Sequence, residues 1–220
     1  MDGLLLIDKP TGITSFDIIR RLRPVVGVRK IGHAGTLDPA ASGLMLILIG
    51  SATKRAESLT KLDKEYLATI KLGQTSTTGD SEGEVAAVSD RRPSRKELEL
   101  ALQTFVGRIQ QTPSPYSAIK IGGQEAYKRM RRGEEVKMPT RTVTIHELEL
   151  LEYKYPLLKL RAKVSSGTYI RSLAADLGER LGTGAYLSGL VRTQVGDYLI
   201  KGALKLDGIT EDEIVAHLQA

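Results

Sequence analysis

Cysteine and tryptophan are absent from the 220 residues, phenylalanine occurs twice and histidine three times. Without cysteine there are no disulfides, no thiol nucleophile and no thiolate-held zinc or iron–sulfur cluster. His33, His146 and His217 are the whole imidazole supply. Metal chemistry is therefore not expected. Aromatic residues make up 5%, which argues against a single-strand binder that stacks successive bases on aromatic platforms. Long apolar runs are missing too. Leu44–Ile49 is far too short to span a bilayer. Asp2 followed by Leu4–Ile7 has none of the basic opening of a secretory signal. These absences predict a soluble, cytoplasmic, non-membrane protein, and a chain this long can bury a sufficient core without staples.

The charge present leans one way. Lys and Arg number 32 against 26 Asp and Glu, for a net +6, which favours polyanionic partners. Lys128, Arg129, Arg131, Arg132, Lys137 and Arg141 crowd one stretch, and Arg20, Arg21, Arg23, Arg29 and Lys30 another. With few aromatics beside them, these residues point to a grip on nucleic-acid backbone.

Local patterns give the elements. Leu4–Asp8 reads as a buried strand, followed by a turn and a helix capped by Ser15 with Phe16, Ile19 and Leu22 inward. Residues 29 to 43 read as a long glycine-bearing loop, Leu44–Ile49 as a buried strand, then a helix to about Leu62 and a strand from Tyr66 to Leu72. Gln74–Glu84 reads as an exposed loop. Ser94-Arg-Lys-Glu97 is a capping box for a helix ending at Gly107, Tyr116–Ile121 is strand-like and Gln124–Arg132 helical. Val143–Tyr153 and Leu157–Val164 pair around Pro156. A helix then carries Ile170, Leu173, Ala174 and Leu177 and is capped by Gly182. A strand near Val195–Ile200 and a helix opened by Thr210-Glu-Asp-Glu213 complete the chain. Strands and helices mixed without strict alternation, and without internal repeats, predict one α+β domain with a mixed, largely antiparallel sheet flanked by helices.

Two segments could carry chemistry. In His33-Ala-Gly-Thr-Leu-Asp38-Pro39 an aspartate is held extended by the proline and presented from a glycine-rich turn. By spacing alone, Asp38 also fits an ordinary turn cap. The glycines match neither phosphate-loop pattern, so a generic phosphate hydrolase is a poor fit. In Ser165-Ser-Gly-Thr-Tyr-Ile-Arg171 an arginine falls in the first turn of a helix, where the macrodipole disfavours a cation, so a negative group is expected nearby. Lys64-Glu-Tyr66 opens a strand, and Pro113-Ser-Pro-Tyr-Ser-Ala-Ile-Lys120 is a stiff connection.

Taken in order, Leu6-Ile-Asp-Lys-Pro-Thr-Gly-Ile-Thr-Ser15, Gly32-His-Ala-Gly-Thr-Leu-Asp-Pro-Ala-Ala-Ser-Gly-Leu44, Lys64-Glu-Tyr66, Pro113–Lys120, Gly167-Thr-Tyr-Ile-Arg171 and Leu190-Val-Arg192 closely resemble the motifs of the TruB family of bacterial tRNA pseudouridine synthases. The resemblance runs from about residue 3 to 200. It implies isomerisation of uridine 55 in the T-loop of tRNA, without cofactor or metal; a monomer needing no obligate protein partner is expected. It implies that Asp38 is the nucleophile, with Arg171 as its partner and Tyr66 against the target base. Tyr169 and Leu190 would line the uridine pocket, His33 would hold the looped-out arrangement, and Lys9 and Pro10 would support the site. Lys128, Arg129, Arg131 and Arg132 are expected on phosphates of the T-arm. The sequence is compatible with attack by Asp38 on the sugar, attack on the ring, or action as a base. Three departures from the family pattern stand out: Tyr186 and Val191 before the last strand, Met130 in the basic helix, and an end about twenty residues past Ile200, where a C-terminal PUA-type domain is usual. A tRNA-binding folding helper with little catalysis is the reading from another class, and the guide-RNA-dependent branch is the closer relative to weigh.

Overall fold

A computed structural model describes residues 1–219. In it the chain folds as two compact units, one made of Met1–Leu67 together with the residues from Leu190 on, the other of Ala68–Gly189.

The first unit opens with β1 (Gly3–Lys9), α1 (Ser15–Val26), β2 (Ile31–Ala34) and β3 (Ser42–Ile49). A 3₁₀ turn (Gly50–Arg55), α2 (Ala56–Thr60) and the start of β4 (Lys64–Leu72) follow. From Leu44 to Ile49 β3 is an unbroken apolar run, which suits a strand covered on both faces. It pairs antiparallel with β1, from Gly3 opposite Ile49 to Lys9 opposite Gly43. Leu44, Leu46 and Leu48 join Leu4, Leu6, Ala34, Leu59 and Val195 in one core cluster. α1 is capped by Thr14, which exchanges hydrogen bonds with Asp17, and buries Ile18, Ile19, Leu22 and Val26. The predicted cap at Ser15 and inward Phe16 are thus corrected: Phe16 lies off that stripe and is 54% exposed. The expected loop over 29 to 43 also contains a strand, β2, paired antiparallel with β3.

The second unit contains β5 (Gln74–Ser76), β6 (Val85–Ala87), α3 (Arg95–Gln103), β7 (Gly107–Gln111), β8 (Lys120–Ile121), β9 (Gln124–Glu125), α4 (Ala126–Arg131), β10 (Arg141–Lys154), β11 (Leu157–Val164), α5 (Ile170–Arg180) and the start of β12 (Ala185–Val195). β4, β11, β10 and β7 lie side by side in that order. β10 pairs antiparallel with both neighbours. The capping box of α3 is formed by Ser94 and Glu97. α3 ends at Gln103, short of Gly107, and only Lys120–Ile121 of the Tyr116–Ile121 segment is strand. The Gln74–Glu84 stretch is not all loop, since Gln74–Ser76 pairs with Val85–Ala87.

Back in the first unit, β12 runs parallel to β3 at Val191 and Arg192, and is followed by β13 (Tyr198–Leu199), β14 (Leu204–Lys205) and α6 (Glu211–His217). The last long strand therefore ends where sequence reading begins it, at Val195. Ser188 and Gly189 interrupt the apolar signal of β12. The architecture is the expected α+β one with a mostly antiparallel sheet. No helix among the described residues is long and apolar enough to cross a membrane.

Candidate active site

In the first unit the loop between β2 and β3 presents Asp38, and neighbouring main chain is fixed on either side of it. The buried Ser15 hydroxyl donates to the Leu37 carbonyl at 3.0 Å and accepts from the Leu37 N–H at 2.9 Å. The Gly12 N–H donates to the Pro39 carbonyl at 2.8 Å. The Lys9 ammonium, on a fully buried side chain, donates to the carbonyls of Pro10 (2.9 Å), Ile13 (2.7 Å) and Pro39 (3.3 Å). The Ala41 N–H closes a turn on the Asp38 carbonyl at 3.1 Å. Asp38 itself stays partly exposed. A carboxylate on an immobilised loop, still reachable, has the geometry a nucleophile or base requires.

Arg192, from β12, is 1% exposed. Its Nε donates to the Leu44 carbonyl at 2.8 Å, and its Nη atoms donate to Gly35 (3.1 Å) and Thr36 (3.4 Å). Burial works against its charge, while the nearby Tyr66 works for it. Tyr66 is buried, on β4. His33 is half-buried, and its buried Nδ1 has no hydrogen-bond partner among the described residues. Burial, then the charge of Arg192, lowers its pKa and favours the neutral ring. Lys64, which donates to the Thr60 carbonyl at 2.5 Å and also to Leu62, is pulled down to about 8 by burial and by Arg192, against the pull of Asp63. Pro10 and Leu190 are half-buried in the same unit.

In the second unit Arg171 lies in the first turn of α5, and the anion that its position demands is Asp80, at 3.3 Å. Both side chains are nearly buried. Arg171 also donates to the carbonyls of Thr78 and Tyr116, each at 3.0 Å, while Asp80 accepts from the Thr78 hydroxyl and the Glu82 N–H. Sequence reading asked for a carboxylate but passed over Asp80, which is hidden in a polar, glycine-rich stretch. Tyr169 is held by the buried Gln111 amide, which donates to its carbonyl at 3.0 Å and accepts from its N–H at 2.7 Å. The Arg141 guanidinium stacks 4.6 Å from its ring centre. Tyr186 is buried as a packing residue.

The basic residues of α4 are not bare. Lys128 pairs with Glu125 at 2.8 Å, Arg129 and Arg132 share Glu134 at 2.6 and 2.7 Å, and Arg131 lies 5.6 Å from the centre of the Tyr127 ring. Exposed pairs of this kind are weak and exchange partners readily. No group of His, Asp and Glu among the described residues could hold a metal ion.

Residues 23–170 match the pattern described as TruB family pseudouridylate synthase (N terminal domain). The tRNA pseudouridine synthase B of Opitutus terrae is 45% identical over 95% of this chain and 87% of that protein. That of Phocaeicola vulgatus is 46% identical over 94% of this chain and 92% of its own. A chain of the archaeal box H/ACA sRNP Nop10–Cbf5 complex superposes with a TM-score of 0.72 at 25% identity, over 99% of this chain and 59% of that one. A chain of a Cbf5–Nop10–Gar1 complex does so at 0.71 and 27%, over 93% and 52%. The chain thus spans little more than half the length of these structural neighbours.

Proposed function

Since this chain belongs to the TruB family of pseudouridine synthases, and is therefore an isomerase, we propose that it converts uridine 55 in the T-loop of tRNA to pseudouridine, with Asp38 as the nucleophile. The names of its relatives supply the tRNA. The single observation that carries the role of Asp38 is the fixing of Leu37 and Pro39 on either side of a partly exposed carboxylate.

The reaction breaks the N1–C1′ bond and forms a C5–C1′ bond. The proton on C5 leaves and N1 gains one, so atoms and electrons balance without a cofactor. Asp38 can enter by bonding to the sugar or the ring, or by taking a proton. Each route needs a carboxylate that does not wander and a detached uracil that turns before water intervenes. Tyr66 is assigned to the face of the target base and to proton removal. Tyr169 and Leu190 are assigned to the uridine pocket, Arg171 to the reactive set, and His33, neutral at physiological pH, to holding the extruded arrangement. Lys9 and Pro10 support the loop. Lys128, Arg129, Arg131 and Arg132 engage T-arm phosphates, and sequence choice comes from the shape of the loop and its flipped bases. The enzyme acts in the cytoplasm as a monomer with no obligate protein partner.

Tritium release from tRNA labelled at uracil C5 tests this. Release is expected from the native protein, and none from Asp38→Asn or from a transcript lacking the T-loop uridine. Tight tRNA binding with no release by the native protein would overturn the catalytic reading in favour of a folding helper.

A further inference from the structure

Arg192 carries a permanent charge in a place where water scarcely reaches, and its partners are main-chain carbonyls and the Met45 sulfur at 3.1 Å. Simple packing does not call for such a residue, because an apolar side chain of similar volume fills a buried site at no desolvation cost. What the guanidinium offers is a planar fork of five donors in fixed directions.

That fork spans the Asp38 loop. Nη2 and Nη1 hold the carbonyls of Gly35 and Thr36, before Asp38 in the chain, and Nε holds that of Leu44, after it. Gly43 lets the main chain of Arg192 come close to the end of the loop. At Gly43 (φ +104°) a Cβ would stand 2.4 Å from the Arg192 carbonyl oxygen and 2.7 Å from its nitrogen.

We propose that Arg192 is a positioning residue that locks the two ends of the Asp38 loop into one rigid frame, so that the carboxylate meets the target uridine in fixed relation. Arg192 need not touch the substrate. Its contribution is to the chemical step, where misplacement of a reacting group by about 1 Å costs on the order of 100-fold. The inference rests on the role given to Asp38 above.

The test uses the full chain and C5-tritiated tRNA, measuring single-turnover release, tRNA Kd and thermal midpoint for Arg192→Met, Arg192→Lys and Asp38→Asn. Arg192→Met is expected to lose about 100-fold in rate while Kd moves less than about threefold. Lysine restores charge without the fork. One ammonium cannot hold the carbonyls of Gly35, Thr36 and Leu44 from the directions the fork does. Arg192→Lys is therefore expected to lose at least about 10-fold in rate while Kd and thermal midpoint move little.

A folded Arg192→Met with rate within about threefold of the parent would overturn the proposal, and so would rate and Kd falling in step. Should Arg192→Met not fold, the lysine variant decides: a rate loss of about 10-fold or more at unchanged Kd supports the frame, and a rate within about threefold of the parent's overturns it. Release retained by Asp38→Asn would instead sink the role of Asp38. A silent Asp38→Asn beside an active Arg192→Met would sink the Arg192 proposal alone.

Discussion

Replacing Lys64 by methionine should change how stability depends on pH more than it changes stability at any one pH. Lys64 is 7% exposed and the neighbours of its ammonium are two carbonyls, a like charge on Arg192 and the carboxylate of Asp63. Its native pKa of about 8 lies well below the ordinary 10.5. At about 1.4 kcal/mol per decade, that gap is worth about 3 kcal/mol. Below pH 8 both folded and unfolded chains hold the proton, and the full penalty burdens the native state. Between pH 8 and 10.5 the native lysine has lost its proton and the unfolded one has not, so stability climbs with pH. Above 10.5 the penalty is gone. Urea unfolding of the parent and Lys64→Met at half-unit steps from pH 7 to 10.5 isolates this group, because other titrations cancel in the difference. The stability of the parent relative to the variant should rise by about 3 kcal/mol across that range. A difference flat to within about 1 kcal/mol would refute the reasoning, since it would mean that the ammonium is solvated in the folded protein.

Asp80→Ala removes the carboxylate 3.3 Å from the buried Arg171 guanidinium and should cost about 3 to 5 kcal/mol in urea melts; a loss below about 1 kcal/mol would show that the other partners of Arg171 suffice. Glu134→Gln releases Arg129 and Arg132 and should tighten tRNA binding at low salt, steepening the slope of log K against log salt by about one. Reversing the charge of Arg129 and Arg132 should do the opposite. A slope indifferent to both changes would remove α4 from the phosphate contacts.

What could be read from the sequence divides along physical lines. Elements fixed by short-range chemistry are visible. The Ser94–Glu97 and Thr210–Glu213 boxes cap helices, and the apolar run of β3 is buried as its composition demands. Elements fixed by distant partners are not. β2 has a glycine-rich sequence and exists because β3 offers an edge. β12 is interrupted by Ser188 and Gly189 but continues through partners contributed by β3. Phe16 faces water because Ile18, Ile19 and Leu22 outcompete it for the core. At the site, the motif residues could be picked out by pattern, and the position of Arg171 required an anion. That the anion is Asp80, and that Ser15 and Arg192 hold the main chain around Asp38, depends on contacts across 22 to 157 positions of sequence, beyond the reach of any local window.

Because Ser15, Gly12, Lys9 and Arg192 grip the Asp38 loop by its peptide groups, the loop's shape is largely indifferent to the identities of its own exposed side chains. Saturation mutagenesis read out by pseudouridine content should therefore draw an inverted map. Thr36 and Ala40, close to Asp38, would accept many residues, while Ser15 and Arg192, far from it in sequence, would accept almost none. A directed-evolution campaign seeking new RNA substrates would find its freedom next to Asp38.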